Sequence, residues 1–452
     1  MSTRNTRPTL LHRAEYLAFR GVETLLSGAS MESCVTVGRL LGRLYHVISP
    51  KYRRLVRRNL RIATAGDAPS AETLDALVLE TFQRTGANFI ASLRTPTMSL
   101  DAMRRHVTEE GLHELGGCVR RGSGLVVAMA HMGNWEAMTS LGASFVHEGV
   151  YGGVYRPLDN PLMDRLTRER RTKDGALLFS REDGFHAPAA MLKTPGALGV
   201  LADQRAGGRG IAMPFLGKMT TCSPLPDLLA RRGRARVCTL SISTIGQAQW
   251  RMELRELEGP INTRSVMAGL EKAIRLSLPD VFWFHNRWRT DPARPLSFFT
   301  KIDPAVAAEA TVPLRLILTT PAHADELGIR QMLLRMLEKR PDLRIDRLCT
   351  TPTETIDPRI VHHEWDPTLP PEQADGFLDK IDRTHPAPLD GSLLFAGEVG
   401  LARAAKRAGL RAIIGLGVSG KPWTRSFETP ASTEDWLELA ELMARVPQRH
   451  RS

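Results

Sequence analysis

Cysteine is scarce in this sequence, and its few copies are scattered. Five occur among 452 residues, and neither a CxxC pair nor any other close spacing is present. They are Cys34, Cys118, Cys222, Cys238 and Cys349. This pattern excludes a disulfide framework and a cysteine-based zinc site. It is typical of a protein in a reducing compartment such as the cytoplasm.

Long hydrophobic runs are also missing. The segment Leu10–Ile48 carries leucine, valine and alanine at helical spacing, but charged side chains interrupt it. It therefore falls short of the roughly 20 apolar residues that a membrane-spanning helix needs. The stretch Met1–Arg7 is basic, yet no uninterrupted apolar core follows it, so we expect no secretory signal.

Positive charge, by contrast, is abundant. The formal net charge is +12 at neutral pH, which points to acidic surroundings such as anionic lipid, a phosphorylated substrate, an acidic carrier protein or nucleic acid. Six lysines and arginines, with no acid among them, lie within Lys51–Arg61 directly after the amphipathic segment. A basic run beside an apolar helix favours docking on an anionic membrane surface. A core-packing helical hairpin with a solvated basic face is the alternative interpretation.

Apolar strand-like runs alternate with helical stretches along most of the chain, which indicates an α/β fold. We expect an N-terminal amphipathic helical region for membrane docking (1–62), a main domain (63–290), a linker (291–313) and a smaller C-terminal α/β domain (314–452). The predicted strands are Gly124–Ala130, Gly149–Tyr155, Ala197–Ala202, Arg236–Ser243 and Trp250–Leu254 in the main domain, and Leu314–Thr319, Ile360–His363, Ser392–Phe395 and Arg411–Gly415 in the C-terminal domain.

The stretch Leu125–Glu136 carries the strongest chemical signal. An apolar run ends at His131, and Glu136 follows five residues later, where a helix is predicted to begin. A carboxylate beside a histidine fixes its tautomer and raises its basicity, which suits a general base acting on a hydroxyl group. We therefore predict that His131 and Glu136 form a catalytic pair that needs no metal. A histidine that merely caps the next helix is the alternative interpretation.

Four sequence blocks carry a resemblance to a known family. They are His131–Glu136, Val154–Leu162 with Arg168–Arg171, Gly199–Gln204 with Pro214–Thr221, and Phe282–Trp288. In this order, the region Tyr16–Arg289 resembles the bacterial lipid A late acyltransferases, the lauroyl and myristoyl transferases of the lysophospholipid acyltransferase-like superfamily. The resemblance implies an acyltransferase-type mixed sheet flanked by helices. It also implies an O-acyltransferase in which His131 is the base and Glu136 orients its ring.

The same resemblance implies roles for further residues. Arg156, Arg170 and Asp203 would bind or position substrate, since an arginine clamps phosphate or carboxylate and Asp203 follows an apolar strand at its carboxyl end. Asn134 would contact substrate at the start of a helix, where backbone N–H groups near Gly133 would stabilise an oxyanion. An ion pair between domains is the alternative interpretation for the arginines and Asp203.

The resemblance also implies the substrates and the place of the reaction. The donor would be an acyl-ACP or an acyl-CoA, and the acceptor a hydroxyl group of a lipid A precursor, at the cytoplasmic face of the bacterial inner membrane. Acyl carrier protein and an anionic membrane surface would be partners, whereas no cofactor and no nucleic acid are expected. Acylation of another glycolipid or a phospholipid is the alternative, followed by a non-enzymatic basic adaptor at a membrane.

The C-terminal region has a resemblance of its own. Gly397–Gly417 is similar to part of the carboxyl half of heptosyltransferase-type glycosyltransferases, although Glu398-Val399-Gly400 stands where those proteins have an Asp-Thr-Gly turn. A complete amino-terminal half does not precede this region. We therefore expect a Rossmann-like α/β domain without an activity of its own.

Overall fold

The structure is a computed structural model that describes residues 7–113, 117, 123–146, 149–182, 184–297, 301–320, 325–350, 354–395 and 398–446. Cys118, Gly397 and most of the basic stretch Met1–Arg7 lie outside the described residues. The chain divides into two compact units. The first unit comprises 1–50, 76–204 and 223–282, and the second unit comprises 51–75, 205–222 and 283–452.

The strands of the described residues form three sheets. They are β1 (Val107–Glu110), β2 (Gly124–Met129), β3 (Val150–Tyr155), β4 (Leu177–Ser180), β5 (Gly196–Leu201), β6 (Ile211–Phe215), β7 (Lys218–Cys222), β8 (Arg236–Gly246), β9 (Gln249–Glu256), β10 (Leu314–Thr319), β11 (Leu343–Cys349), β12 (Ile360–Glu364), β13 (Gly391–Leu394), β14 (Ala412–Leu416) and β15 (Arg425–Phe427). Each strand predicted from the sequence is present, which confirms the α/β class.

Fifteen α-helices occur among the described residues. They are α1 (Leu10–Ser27), α2 (Met31–Ile48), α3 (Pro50–Ala63), α4 (Ala71–Arg94), α5 (Leu100–Arg104), α6 (Ala137–Phe145), α7 (Pro161–Thr172), α8 (His186–Met191), α9 (Leu225–Gly233), α10 (Thr263–Arg275), α11 (Pro304–Ala307), α12 (Glu326–Lys339), α13 (Ala374–Arg383), α14 (Val399–Ala408) and α15 (Thr433–Ala444).

The first unit contains a seven-stranded mixed sheet in the order β1-β9-β8-β2-β5-β3-β4. Neighbouring strands are parallel except β8 and β9, which form an antiparallel pair. All six residues of β2 are buried, and α9 and α10 both pack against this strand. A strand covered by helices needs apolar side chains throughout, which is why β2 reads as a continuous apolar run.

The N-terminal helices α1 and α2 begin at side-chain caps. Thr9 Oγ1 accepts a hydrogen bond from the His12 backbone N–H, and Ser30 Oγ accepts one from the Ser33 backbone N–H. A Cβ added to Gly38 of α2 would lie 2.5 Å from the backbone oxygen of Gly86 on α4. The two helix backbones therefore touch, and only glycine permits that approach.

None of the described helices is both long enough and apolar enough to cross a bilayer. Large apolar side chains nevertheless stay exposed along α1 and α2. They include Leu10, Leu11, Leu17, Leu25, Leu40, Leu44, Val47 and Ile48.

The basic helix α3 belongs to the second unit, which differs from the predicted domain boundary at residue 62. Arg58 pairs with Asp390, and Arg61 pairs with Asp382. Asn59 Nδ2 donates to the backbone oxygen of Trp283 at 2.8 Å. The buried face of α3 thus packs within the second unit, and part of its positive charge is already neutralised there.

The second unit contains a six-stranded parallel sheet in the order β12-β11-β10-β13-β14-β15. If β10 is counted as strand 1 of this sheet, the order is 3-2-1-4-5-6, as in doubly wound nucleotide-binding folds. Separate apolar clusters cover its two faces, one including α12 and α15, the other including α13 and α14. The Rossmann-like character expected from the sequence is therefore present in the fold.

The described residues of the segment 291–313, which was predicted as a linker, lie in the second unit. Leu296 is buried in the apolar cluster that includes α12 and α15. The backbone N–H groups of Thr311 and Val312 both donate to the oxygen of Gly217, in the turn between β6 and β7. The described part of this segment therefore contacts the rest of the second unit at these positions.

Candidate active site

Two neighbouring parallel strands place the central residues of the site. Met129 on β2 lies opposite Leu201 on β5, and the Ala202 backbone N–H donates to the Met129 oxygen at 3.0 Å. His131 and Asp203 each follow two residues after that pair. Because the carboxyl ends of parallel strands meet at one edge of a sheet, the two side chains lie next to each other.

The imidazole of His131 contacts the carboxylate of Asp203. The distance from Nδ1 to Oδ1 is 2.7 Å, and the two side chains are 21% and 10% exposed. A carboxylate only accepts hydrogen bonds, so Nδ1 carries the proton and Nε2 is left with its lone pair. The sequence predicted both residues as site residues, but it assigned Asp203 to substrate and not to the histidine ring.

His131 is a stronger base than a free histidine. Burial by itself lowers the pKa of the imidazole, because it disfavours the charged form. The charge of Asp203 and its hydrogen bond, with a further contribution from the charge of Glu136, outweigh burial and raise the pKa above its ordinary value. The arrangement favours proton uptake at Nε2.

Glu136 has a different partner from the predicted one. Its carboxylate pairs with Arg171, whose Nη2 bonds Oε1 and whose Nε donates to Oε2 at 3.2 Å. The structure does not place Glu136 in the predicted orienting role, because His131 Nδ1 donates its hydrogen bond to Asp203. The helix begins at Ala137 and not at Trp135, so Glu136 is its N-cap residue. A turn separates Glu136 from His131.

Backbone hydrogen bonds with Asp280 and Phe282 hold the turn between His131 and α6. The Phe282 backbone N–H donates to the His131 oxygen at 2.8 Å, and the Gly133 N–H donates to the Asp280 oxygen at 3.0 Å. Gly133 has φ +58°, and a Cβ there would lie 2.4 Å from the backbone oxygen of Ile242. Only glycine fits both the backbone conformation and the space.

The side chain of Asp280 holds the segment that contacts this turn, and the sequence analysis did not identify it. Its buried carboxylate accepts hydrogen bonds from Arg84 Nη1 (2.8 Å), Asn88 Nδ2 (3.2 Å), the Thr244 backbone N–H (2.8 Å), Thr244 Oγ1 (2.5 Å) and Ser277 Oγ (2.6 Å). Five donors on one carboxylate lock the segment that holds the histidine turn. The available signal was an acidic residue two positions before the aromatic block that begins at Phe282.

Aromatic rings flank the histidine. The ring of Trp135 lies 5.6 Å from that of His131 in an edge-on arrangement, and Phe282 lies 6.5 Å from Trp135. An apolar neighbour lowers the local dielectric constant, which strengthens the interaction between His131 and Asp203.

Comparison with known proteins decides the family. The model for bacterial lipid A biosynthesis acyltransferases matches residues 5–290, which is more than half of the chain. The chain belongs to this family. A lipid A biosynthesis acyltransferase of Haemophilus influenzae is 22% identical to it over 272 residues, which cover 57% of this chain and 84% of the relative. The protein is therefore an acyltransferase, with its C-terminal sheet outside the matched residues.

The two arginines that the sequence assigned to substrate have different surroundings in this acyltransferase. Arg156 directly follows β3, the other neighbour of β5, and is exposed at the same sheet edge as His131. Arg170 instead pairs with the buried carboxylate of Glu23 on α1, and its guanidinium lies over the ring of Phe19. Arg156 is thus exposed to solvent, whereas Arg170 joins α7 to α1.

Asn134 has a structural role in the acyltransferase. Its side chain is fully buried and donates from Nδ2 to Thr95 Oγ1 at 2.9 Å. The buried side chain is therefore not open to substrate, and a contact through the backbone N–H group of Asn134 stays a prediction. The Gly133 N–H is also engaged, with the Asp280 oxygen, so it is no oxyanion donor in this conformation.

The fourth block of the acyltransferase lies mostly in the second unit and supports its interior. Arg287 is buried, donates to the Thr221 oxygen at 2.9 Å and lies over the ring of Phe215. Trp288 Nε1 donates to the Phe215 oxygen at 3.2 Å. The block therefore joins the β6–β7 hairpin to the following chain.

Proposed function

We propose that this acyltransferase moves a fatty acyl chain from a carrier thioester to a hydroxyl group of a lipid A precursor, with His131 as the general base. The hydrogen bond between His131 Nδ1 and Asp203 Oδ1 is the observation that carries the proposal. This bond leaves Nε2 of His131 able to accept a proton at the edge of the sheet, and the pKa of the imidazole is raised. The chain also belongs to the lipid A biosynthesis acyltransferase family.

The chemistry needs no acyl-enzyme. As the acceptor oxygen attacks the thioester carbonyl carbon, Nε2 of His131 takes the hydroxyl proton. The tetrahedral intermediate then expels the thiolate, which recovers that proton from the imidazolium, so an ester and a free thiol are formed. Asp203 stabilises the imidazolium through Nδ1, and Glu136 adds negative charge nearby.

The donor is proposed to be an acyl-ACP, with acyl-CoA as the alternative. The formal net charge of +12 suits an acidic carrier protein. On α7, which lies between His131 and Asp203 in the sequence, Arg165 pairs with Glu169, whereas Arg168 is exposed. Arg156 and Arg168 are the cations we propose for the donor or for phosphate groups of the acceptor.

Membrane association is proposed for α1 and α2. Their exposed apolar side chains, among them Leu17 at 67% and Leu25 at 80% exposure, match a surface that lies in the headgroup region without crossing the bilayer. A lipid acceptor would reach the enzyme from that surface. We place the reaction at the cytoplasmic face of the bacterial inner membrane.

A transfer assay tests the proposal. Detergent-solubilised protein is mixed with radiolabelled acyl-ACP and a tetra-acylated lipid A precursor, and the products are read by mass spectrometry. We expect a product heavier by one acyl chain, absent with His131→Ala and reduced with Glu136→Ala, while both variants still bind vesicles. His186→Ala, an exposed histidine on α8, is the matched control and should retain full activity.

Other outcomes assign the function differently. Transfer to bulk phospholipid or another glycolipid, with none to the lipid A precursor, would keep the His131 mechanism and replace the acceptor. Vesicle binding without turnover of any donor would favour the non-enzymatic adaptor. Full activity of His131→Ala would remove the mechanism.

A further inference from the structure

The second unit contains a cavity of about 610 Å³ that the acyl transfer does not use. Helix α3, the chain around Arg289, and the turn from α14 to β14 line it. Its wall also includes Leu389 and Asp390, directly before β13. The cavity thus lies at the amino-terminal edge of the C-terminal sheet, away from the carboxyl edge where doubly wound folds usually bind ligands.

Positive charge dominates the lining. Nine basic and four acidic side chains contribute to it. Three of the aspartates are neutralised by lining arginines: Asp390 by Arg58, Asp382 by Arg61 and Asp375 by Arg407. Among the residues that the structure describes, five lining cations make no ion pair within 4 Å. These five are Lys51, Arg54, Arg289, Lys406 and Arg411.

The unpaired arginines repel one another. Burial lowers the pKa of the Arg411 guanidinium, and the charges of Arg289 and Arg58 lower it further. Arg58 Nη1 is buried and has no hydrogen-bond partner among the described residues. Arg289 and Arg411 are both exposed, so solvent screens part of this repulsion, and a bound anion would supply the counter-charge that the cluster lacks.

The remaining wall is apolar. Leu55, Leu378, Leu410 and the indole of Trp288 line the same cavity. Its volume falls in the usual range for small-molecule sites, roughly 300–1,000 Å³, and is much larger than a lone phosphate requires. Apolar walls beside unpaired guanidinium groups suit a molecule with a phosphate group and an apolar or ring-shaped body.

We propose that this cavity binds an organic phosphate through Arg289 and Arg411. Each guanidinium presents paired donors to phosphate oxygens, and Arg58 Nη1 adds a further donor beside them. The phosphate belongs either to a soluble nucleotide-like compound or to a phosphorylated lipid headgroup. The site is separate from His131 and does not depend on the acyl-transfer proposal.

Two binding experiments on the full-length protein separate the sources. Calorimetric titrations use ADP and inorganic pyrophosphate as soluble probes, and flotation uses phosphatidylcholine vesicles with and without phosphatidic acid. We compare wild type with Arg289→Gln, Arg411→Gln and the double variant. Arg403→Gln is the matched control, because Arg403 is exposed on α14 and does not line the cavity.

We expect saturable 1:1 binding of ADP or enrichment on phosphatidic acid vesicles. Each single substitution should weaken that binding about tenfold or more, since a charge-assisted hydrogen bond to phosphate is lost. Arg403→Gln should bind as wild type does. Without ligand, Arg411→Gln should melt at the same or a higher temperature, because repulsion is relieved.

Three results would overturn the proposal. One is the absence of binding in both experiments. Another is equal weakening by Arg403→Gln, which would indicate a diffuse charge effect. The third is a lower melting temperature for Arg289→Gln and Arg411→Gln, which would show that these arginines serve the fold.

Discussion

Replacing Asp203 by Asn removes the charge beside His131 while keeping nearly the same shape. Opposite charges about 4 Å apart attract by about 4 kcal/mol at an effective dielectric constant of about 20. That attraction stabilises the imidazolium in the transition state, and an amide can also turn its NH₂ group toward Nδ1 and impose the wrong tautomer. We therefore expect the maximal transfer rate to fall about 100- to 10,000-fold, equivalent to about 3–5 kcal/mol of activation free energy.

The pH dependence gives the sharper test of the same substitution. The base must be neutral, so activity rises with pH through the pKa of His131, which Asp203 holds above the ordinary value of 6.5. In Asp203→Asn, burial still disfavours the imidazolium and the carboxylate no longer offsets it, so the acidic limb moves to lower pH. Glu136→Gln should move the limb in the same direction by less.

The assay is the initial rate of acyl transfer from acyl-ACP between pH 5 and 9, with folding checked by circular dichroism. Asp101→Asn is the control, since that side chain is 87% exposed and should leave the profile unchanged. A wild-type rate in Asp203→Asn, or a limb that moves to higher pH, would refute the reasoning. A larger shift in Glu136→Gln would return the orienting role to Glu136.

Two further substitutions test the supports of the fold. Gly133→Ala forces a left-handed conformation at a cost of about 1–2 kcal/mol and drives its Cβ against Ile242, so the melting temperature and the transfer rate should both fall. A wild-type rate would show that this turn does not position His131. Asp346→Ala leaves the guanidinium of Arg315 buried without the carboxylate it now contacts at 2.8 Å, which should destabilise the second unit by about 3–5 kcal/mol in a urea titration. An unchanged midpoint would contradict the assignment of that ion pair to stability.

The strands show which structural information is local. β2, β5 and β10 were predictable because strands buried within a sheet need continuous apolar runs. β11 was missed, since Asp346 and Arg347 interrupt its apolar pattern. Asp346 is tolerated inside because Arg315, on the neighbouring strand β10, bonds it, and a compensating charge 31 residues away cannot be read from the strand itself.

The basic run Lys51–Arg61 shows the limit of charge patterns. The sequence determines that α3 is amphipathic and cationic, and that much is confirmed. It does not determine which cations are solvated, because Asp390, the partner of Arg58, lies 332 residues further along the chain. Docking of this helix on lipid and the likeness of the C-terminal region to heptosyltransferases both stay predictions.

The sequence by itself determined the fold class and the family blocks, and it predicted His131 as the base, because each of these depends on residues close together in the chain. It named the nearest carboxylate in the chain, Glu136, as the partner of that base. The tertiary structure placed Asp203 there, 72 residues away. The pairing of β2 with β5 sets which side chains meet at the sheet edge, and strand register is a property of the folded sheet.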